Sequence, residues 1–262
     1  MKIKDLEFGG TIRALFKGPP GTGKTVAAGS FPHPYFLSVD GKVGSLKLFY
    51  PHGDIEYDIF NDFWSVFQKL EELQRNCPYK TVVVDGLTKL SLMAMMHSMK
   101  YRPEERGKDG DKNKDVKGHK RGELLLPEIE DYGAESMGLY QLIFKLEDLH
   151  ARLNVNTILI AHVLEIEYED LQHRKRKVQT LLTGGKKIAA GIPGEFDEIF
   201  HFELGRGLTA DQSTGYHVLT HGDGDNFART ALPLPHEIDI TDRTDFYDIL
   251  MRHAREHEAD KA

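Results

Sequence analysis

The sequence holds a single cysteine, Cys77, among 262 residues. One thiol closes no internal disulfide and cannot by itself build a cysteine-based zinc site, which suits a reducing compartment. No apolar run approaches the roughly eighteen residues that a membrane-spanning helix needs. The opening Met1-Lys-Ile-Lys-Asp-Leu-Glu7 lacks the apolar stretch of a secretory leader. These absences lead to the expectation of a cytoplasmic protein with no membrane contact. Positive charge is also in short supply: 34 Lys and Arg face 41 Asp and Glu, a formal net charge of −7. That excludes a protein holding nucleic acid through its overall charge, so any such contact needs a local basic patch. The thirteen histidines are scattered, with no metal-ligand spacing such as H-E-x-x-H.

Glycine and proline, by contrast, are concentrated where they carry chemistry. Gly18, Pro19, Pro20, Gly21, Thr22, Gly23, Lys24 and Thr25 match G-x-x-x-x-G-K-[ST] at every fixed position. Glycines let the backbone wrap closely, so that successive N–H groups point at a β-phosphate. Lys24 reaches the β- and γ-phosphates, and the Thr25 hydroxyl is a ligand for Mg²⁺. The expected cofactors are therefore ATP and Mg²⁺. Context agrees, because residues 11–17 read as a strand and a short helix follows the loop before Phe31-Pro-His-Pro34 stops it. A second signature is Thr81-Val-Val-Val-Asp85, a short apolar run typical of a strand buried on both faces. An acid at the carboxyl end of such a strand sits where α/β proteins bind ligands, so Asp85 is expected to hold the Mg²⁺ through water.

Along the chain, strands are expected at residues 35–39, 55–59, 156–163, 198–204 and 216–220. Helices are expected from a cap at Asn61 to about Gln74, over residues 87–99, 134–153 and 245–257, with a hairpin at 164–182. Strands alternating with helices predict an α/β fold with a mostly parallel sheet, helices on both faces and a β-rich extension toward the C-terminus, all in one domain. Between Lys100 and Glu123, nine Lys or Arg, six Asp or Glu and four Gly crowd together. Such a segment cannot bury itself and is expected to be a mobile, charged insertion.

The chain resembles the RecA-like P-loop ATPases found in phages, including the Sak-type single-strand annealing proteins. The likeness rests on residues 15–25, 81–88, Thr157-Ile-Leu-Ile-Ala-His162, Ile192-Pro-Gly-Glu-Phe-Asp-Glu-Ile199 and the tail from Arg229 to Ile240 with its Leu-Pro-Leu-Pro core. It implies a RecA-like core coupling ATP to single-stranded DNA, acting as a homo-oligomeric ring or filament, with a phage or host single-strand-binding protein as a further partner. His162 then falls where the family senses the γ-phosphate. The basic run Arg174, Lys175, Arg176 and Lys177 falls in a DNA-contacting loop, where neutralised phosphates release counterions. Lys186 or Lys187 is a candidate to reach a neighbouring subunit's γ-phosphate, as an arginine finger does. Many relatives carry a catalytic glutamate after the second strand. Here that turn reads Val39-Asp-Gly-Lys-Val-Gly44, which leaves Asp40 as the water-orienting base or hydrolysis slow. Two other readings stand beside this one: a nucleotide-gated loader or switch acting on another replication protein, and a small-molecule kinase.

Overall fold

The computed structural model describes residues 10–101, 127–169, 173, 175–205, 215–223, 226–240 and 243–259. Nearly all of the expected charged insertion, and Arg174 of the basic run, lie outside these residues. An eight-stranded sheet forms the centre, in the spatial order β10-β9-β8-β1-β5-β4-β2-β3. Its members are β1 (Arg13–Lys17), β2 (Pro34–Ser38), β3 (Glu56–Ile59), β4 (Thr81–Asp85), β5 (Asn156–Ala161), β8 (Glu198–Gly205), β9 (Gly215–Leu219) and β10 (Glu237–Asp239). The run from β8 through β3 is parallel, whereas β9 and β10 pair antiparallel at one edge. This is the predicted α/β architecture, with the antiparallel edge as its β-rich extension.

The register places Lys17 opposite Ala161 of β5 and His201 of β8, and Asp85 opposite Ile160. Because β5 runs between β1 and β4, the ends of all three strands open onto one edge of the sheet. That is where ligands meet open α/β sheets.

The helices are α1 (Lys24–Gly29), α2 (Gly44–Phe49), α3 (Phe63–Arg75), α4 (Leu87–Tyr101), α5 (Ile129–Leu153), α6 (Lys186–Gly191) and α7 (Phe246–Ala259). They bury two apolar layers, one on each face of the sheet. One layer joins Leu15, Val82, Val84 and Leu159 to α3, α4 and α5 through Leu70, Leu90 and Leu146. The other seats Phe16, Phe36, Val83 and Ile160 against α1 and α7. Phe16 is fully buried, and its ring centroid lies 4.9 Å from that of Phe202 and 5.7 Å from that of Phe246.

Several boundaries differ from expectation for local reasons. Asp62 caps α3, not Asn61, since its carboxylate accepts from the Ser65 N–H at 2.9 Å. α5 begins five residues before the expected start because Glu128 and Asp131 form a reciprocal capping box. α4 runs on through Lys100 and Tyr101, so the charged segment follows the helix two residues later than the composition implies.

The remaining strands, β6 (Val163–Glu169) and β7 (Lys175–Leu181), form a separate antiparallel hairpin that leaves β5 after one residue, His162. Among the described residues no helix is long and apolar enough to cross a membrane.

Candidate nucleotide-binding site

The phosphate loop joins β1 to α1 through three glycines with positive φ: Gly18 at 150°, Gly21 at 81° and Gly23 at 88°. Gly18 has a second reason to be glycine, because a Cβ there would lie 2.1 Å from the carbonyl oxygen of Phe202 on β8. The Lys24 side chain is 4% exposed. Its Nζ donates to the Gly18 carbonyl at 2.8 Å, the Pro19 carbonyl at 2.6 Å and Thr22 Oγ1 at 3.2 Å. The amine thus spans the concavity of the loop and rests on carbonyls that a phosphate oxygen can replace. Burial lowers its pKa to about 8, while the charge of Asp85 works against the drop.

Thr25 Oγ1 donates to Asp85 Oδ2 at 2.9 Å, bringing together the hydroxyl and the carboxylate singled out from sequence. Asp85 is 6% exposed, and burial raises its pKa to about 6. The hydrogen bond from Thr25 opposes that rise and the neighbouring Asp40 adds to it. A part-buried hydroxyl and a buried carboxylate beside a glycine-rich loop make an oxygen donor set suited to Mg²⁺ on a triphosphate. The residues present therefore fit the Mg²⁺-nucleotide that the sequence implies.

Asp40 stands two residues beyond Ser38, the end of β2. Its carboxylate accepts from the Lys42 N–H at 3.0 Å, and the Lys42 amine lies 3.6 Å away. The Val39 N–H donates to the Asp85 carbonyl at 3.1 Å, which ties that turn to the acid strand. His162, at the end of β5, is half-buried. Burial, then the charge of Lys24, hold its pKa below the usual histidine value, with a backbone contact to Gly18 opposing them. The ring is therefore neutral at physiological pH. Its Nδ1 is buried without a hydrogen-bond partner among the described residues. The carbonyl of His162 accepts from the Leu182 N–H at 2.9 Å, which closes the base of the hairpin.

The basic hairpin is more neutral than its sequence suggests. Lys177 Nζ donates to Glu165 Oε1 at 2.6 Å and lies 3.6 Å from Glu167, while Lys175 stands across the ladder from Glu169 and Arg176 across from Tyr168. Alternation on β6 places three carboxylates against the basic strand, a pattern readable only once the pairing register is known.

Lys186 and Lys187 open α6 and are both exposed. They line a groove of about 680 Å³ with Ile129, Tyr132, Met137 and Tyr140 of α5. Beneath it, Glu135 is fully buried, accepts from Ser91 Oγ, and accepts from the Gly185 N–H at 3.2 Å. Ser91 Oγ in turn accepts from the Gly184 N–H at 2.8 Å. The Gly184-Gly185 turn that presents both lysines is therefore anchored to α4, which starts two residues after Asp85.

Sequence reasoning missed Lys17 and His201, both fully buried beside the loop. A lysine directly following the apolar run Ala14-Leu15-Phe16 was the available signal for the first. His201 shows only through the β1–β8 register.

A family model described as an AAA domain matches residues 11–228, a span that runs from β1 past the hairpin and β9. No curated protein sequence matches the chain. The match covers well over half of the sequence and includes the phosphate loop, Asp85 and His162, so the chain belongs to this AAA domain family.

Proposed function

We propose, starting from membership in the AAA domain family, that the chain is an ATP-dependent single-stranded DNA-binding protein of the annealing type, encoded by a phage and active as a homo-oligomer. The observation that carries this reading is the hydrogen bond from Leu182 to His162, because it roots the hairpin and the Lys186–Lys187 turn in the nucleotide site.

Lys24 leaves the loop carbonyls for the β- and γ-phosphates, and Thr25 and Asp85 hold the metal ion. Mg²⁺, when bound, neutralises charge that builds on the phosphates during transfer. Asp40 orients the attacking water, and His162, neutral and with a free ring nitrogen, takes the γ-phosphate contact. Any shift of His162 then reaches β7 directly, and through it the groove. Thr88 Oγ1, early in α4, donates to the Leu182 carbonyl at 2.7 Å and holds the same junction from the acid strand's side.

DNA contact is best supported along the groove. Tyr132 is 40% exposed there and offers a stacking face beside two lysines that have no ion pair among the described residues. The hairpin adds charge to a lesser degree, since Lys177 is already paired.

ATP turnover measured with and without single-stranded DNA tests the proposal. Stimulation by DNA, lost in Lys24→Ala, is the expected result. Reversing Lys186 and Lys187 to glutamate should cut DNA affinity by about tenfold or more at moderate salt. Protein that binds ATP but gains neither turnover nor DNA affinity overturns this reading and favours a nucleotide-gated loader acting on another replication protein.

A further inference from the structure

Lys17 ends β1 immediately before the phosphate loop and has no place in the scheme above. Its side chain is completely buried. Its Nζ lies 3.2 Å from His201 Nδ1 and 4.0 Å from the centre of the Phe227 ring. Among the described residues no carboxylate comes within 4 Å of it. A lysine withdrawn from water onto one imidazole and one aromatic face has little to hold its charge.

The surrounding groups are few. Burial lowers the Lys17 pKa to about 7, and the charges of Asp223 and Glu203 soften that drop from a distance. His201 is pushed down to about 3 by burial and by the charges of Lys17 and Lys24, so its ring stays neutral; in the Nε2–H tautomer, which faces Glu203 Oε2 at 3.7 Å, Nδ1 accepts. The Gly18 carbonyl, one residue on, already accepts from Lys24.

We propose that Lys17, seated on His201, is a second lysine of the nucleotide site, for which the bound triphosphate supplies the counter-charge, so that nucleotide binding draws a proton onto its amine. The inference rests on the loop binding a triphosphate. The step balances simply: a solvent proton moves to the lone pair of Lys17 Nζ, and the resulting ammonium donates to His201 Nδ1. Held on His201, Lys17 acts as a positioning and electrostatic residue through the loop. Because protons are taken up, affinity for ATP falls as pH rises above about 7.

Calorimetric titration of ATP with Mg²⁺ at pH 7.5, in buffers of different ionisation enthalpy, reads the protons taken up. Lys24 and Asp85 contribute equally to wild type and Lys17→Met, so the difference between the two proteins isolates Lys17. The difference should be about half a proton or more, with ATP affinity on the order of tenfold lower in the variant. Equal proton uptake in the two proteins overturns the inference while leaving nucleotide binding intact. A wild type that binds no ATP in any buffer overturns the nucleotide reading and the inference with it. Asp223→Asn, on the exposed loop, guards against misfolding of Lys17→Met. Losing that charge makes Lys17 release its proton more readily before binding, so uptake at pH 7 should increase, and unchanged uptake also overturns the inference.

Discussion

At the scale of single residues, the site is governed by buried charge. Lys24 and Asp85 are both nearly sealed from solvent, and each is displaced toward its neutral form, to about 8 and about 6. The carboxylate is the form that binds a metal ion. If Asp85 serves the metal as proposed, its share of Mg²⁺-nucleotide affinity should be lost as pH falls through about 6 and it takes up a proton, and be fully present above that value. Asp85→Asn removes the titrating group while keeping an acceptor for the Thr25 hydroxyl. The affinity gap between wild type and Asp85→Asn should thus be about tenfold or more at pH 7.5 and close as pH approaches 5. Binding of a fluorescent ATP analogue in Mg²⁺, with EDTA controls, measures the gap. Protonation of the nucleotide itself is common to both proteins and cancels. A gap of constant size from pH 7.5 to 5 would show that Asp85 does not serve the metal.

At the scale of elements, the hairpin shows how a strand partner changes the meaning of a sequence motif. Arg174 to Lys177 reads as a basic tip, yet Glu165 and Glu167 on β6 already hold Lys177. Such exposed pairs contribute little to stability, but they neutralise the local field that would attract phosphates. Converting Glu165 and Glu167 to glutamine should leave the melting temperature almost unchanged and raise affinity for single-stranded DNA several-fold, with a steeper salt dependence. Fluorescence anisotropy across a salt series checks it, and unaltered affinity would remove the hairpin from the DNA surface.

The same element explains what could be read in advance. The loop, Asp85 and the alternation of strand and helix were legible because glycine spacing, valine runs and amphipathic periods are local. The place of β5 between β1 and β4 is not local, and it decides that His162 meets the phosphate loop. α2 and α6, each six residues long, carry too short a period to stand out. The contact between Lys17 and His201 spans 184 positions, so no window of sequence brings them together.

At the scale of the whole molecule, the sheet edge gathers the phosphate loop, Asp85 and His162, while the buried Glu135 and Ser91 fasten the Lys186–Lys187 turn to the same framework. Both lysines are exposed and stand on the groove rather than in the loop's own hydrogen-bond network. That placement suits contact with DNA, and equally an action on the nucleotide held by a neighbouring copy, and mixing subunits separates the two. A Lys24→Ala subunit has a disabled loop with intact lysines; a Lys186→Ala, Lys187→Ala subunit has the reverse. If the lysines act across a subunit boundary, each variant alone is inactive. A one-to-one mixture then pairs intact loops with intact lysines at a fraction of interfaces and recovers roughly a quarter of wild-type turnover, as expected for random assembly through a head-to-tail contact. If the lysines serve only DNA, the double variant retains its basal turnover without DNA, and mixing adds nothing beyond the average of the two proteins. Activity that is absent from both variants and stays absent on mixing would place the lysines in the folding of the Gly184-Gly185 turn, where Glu135 and Ser91 hold it.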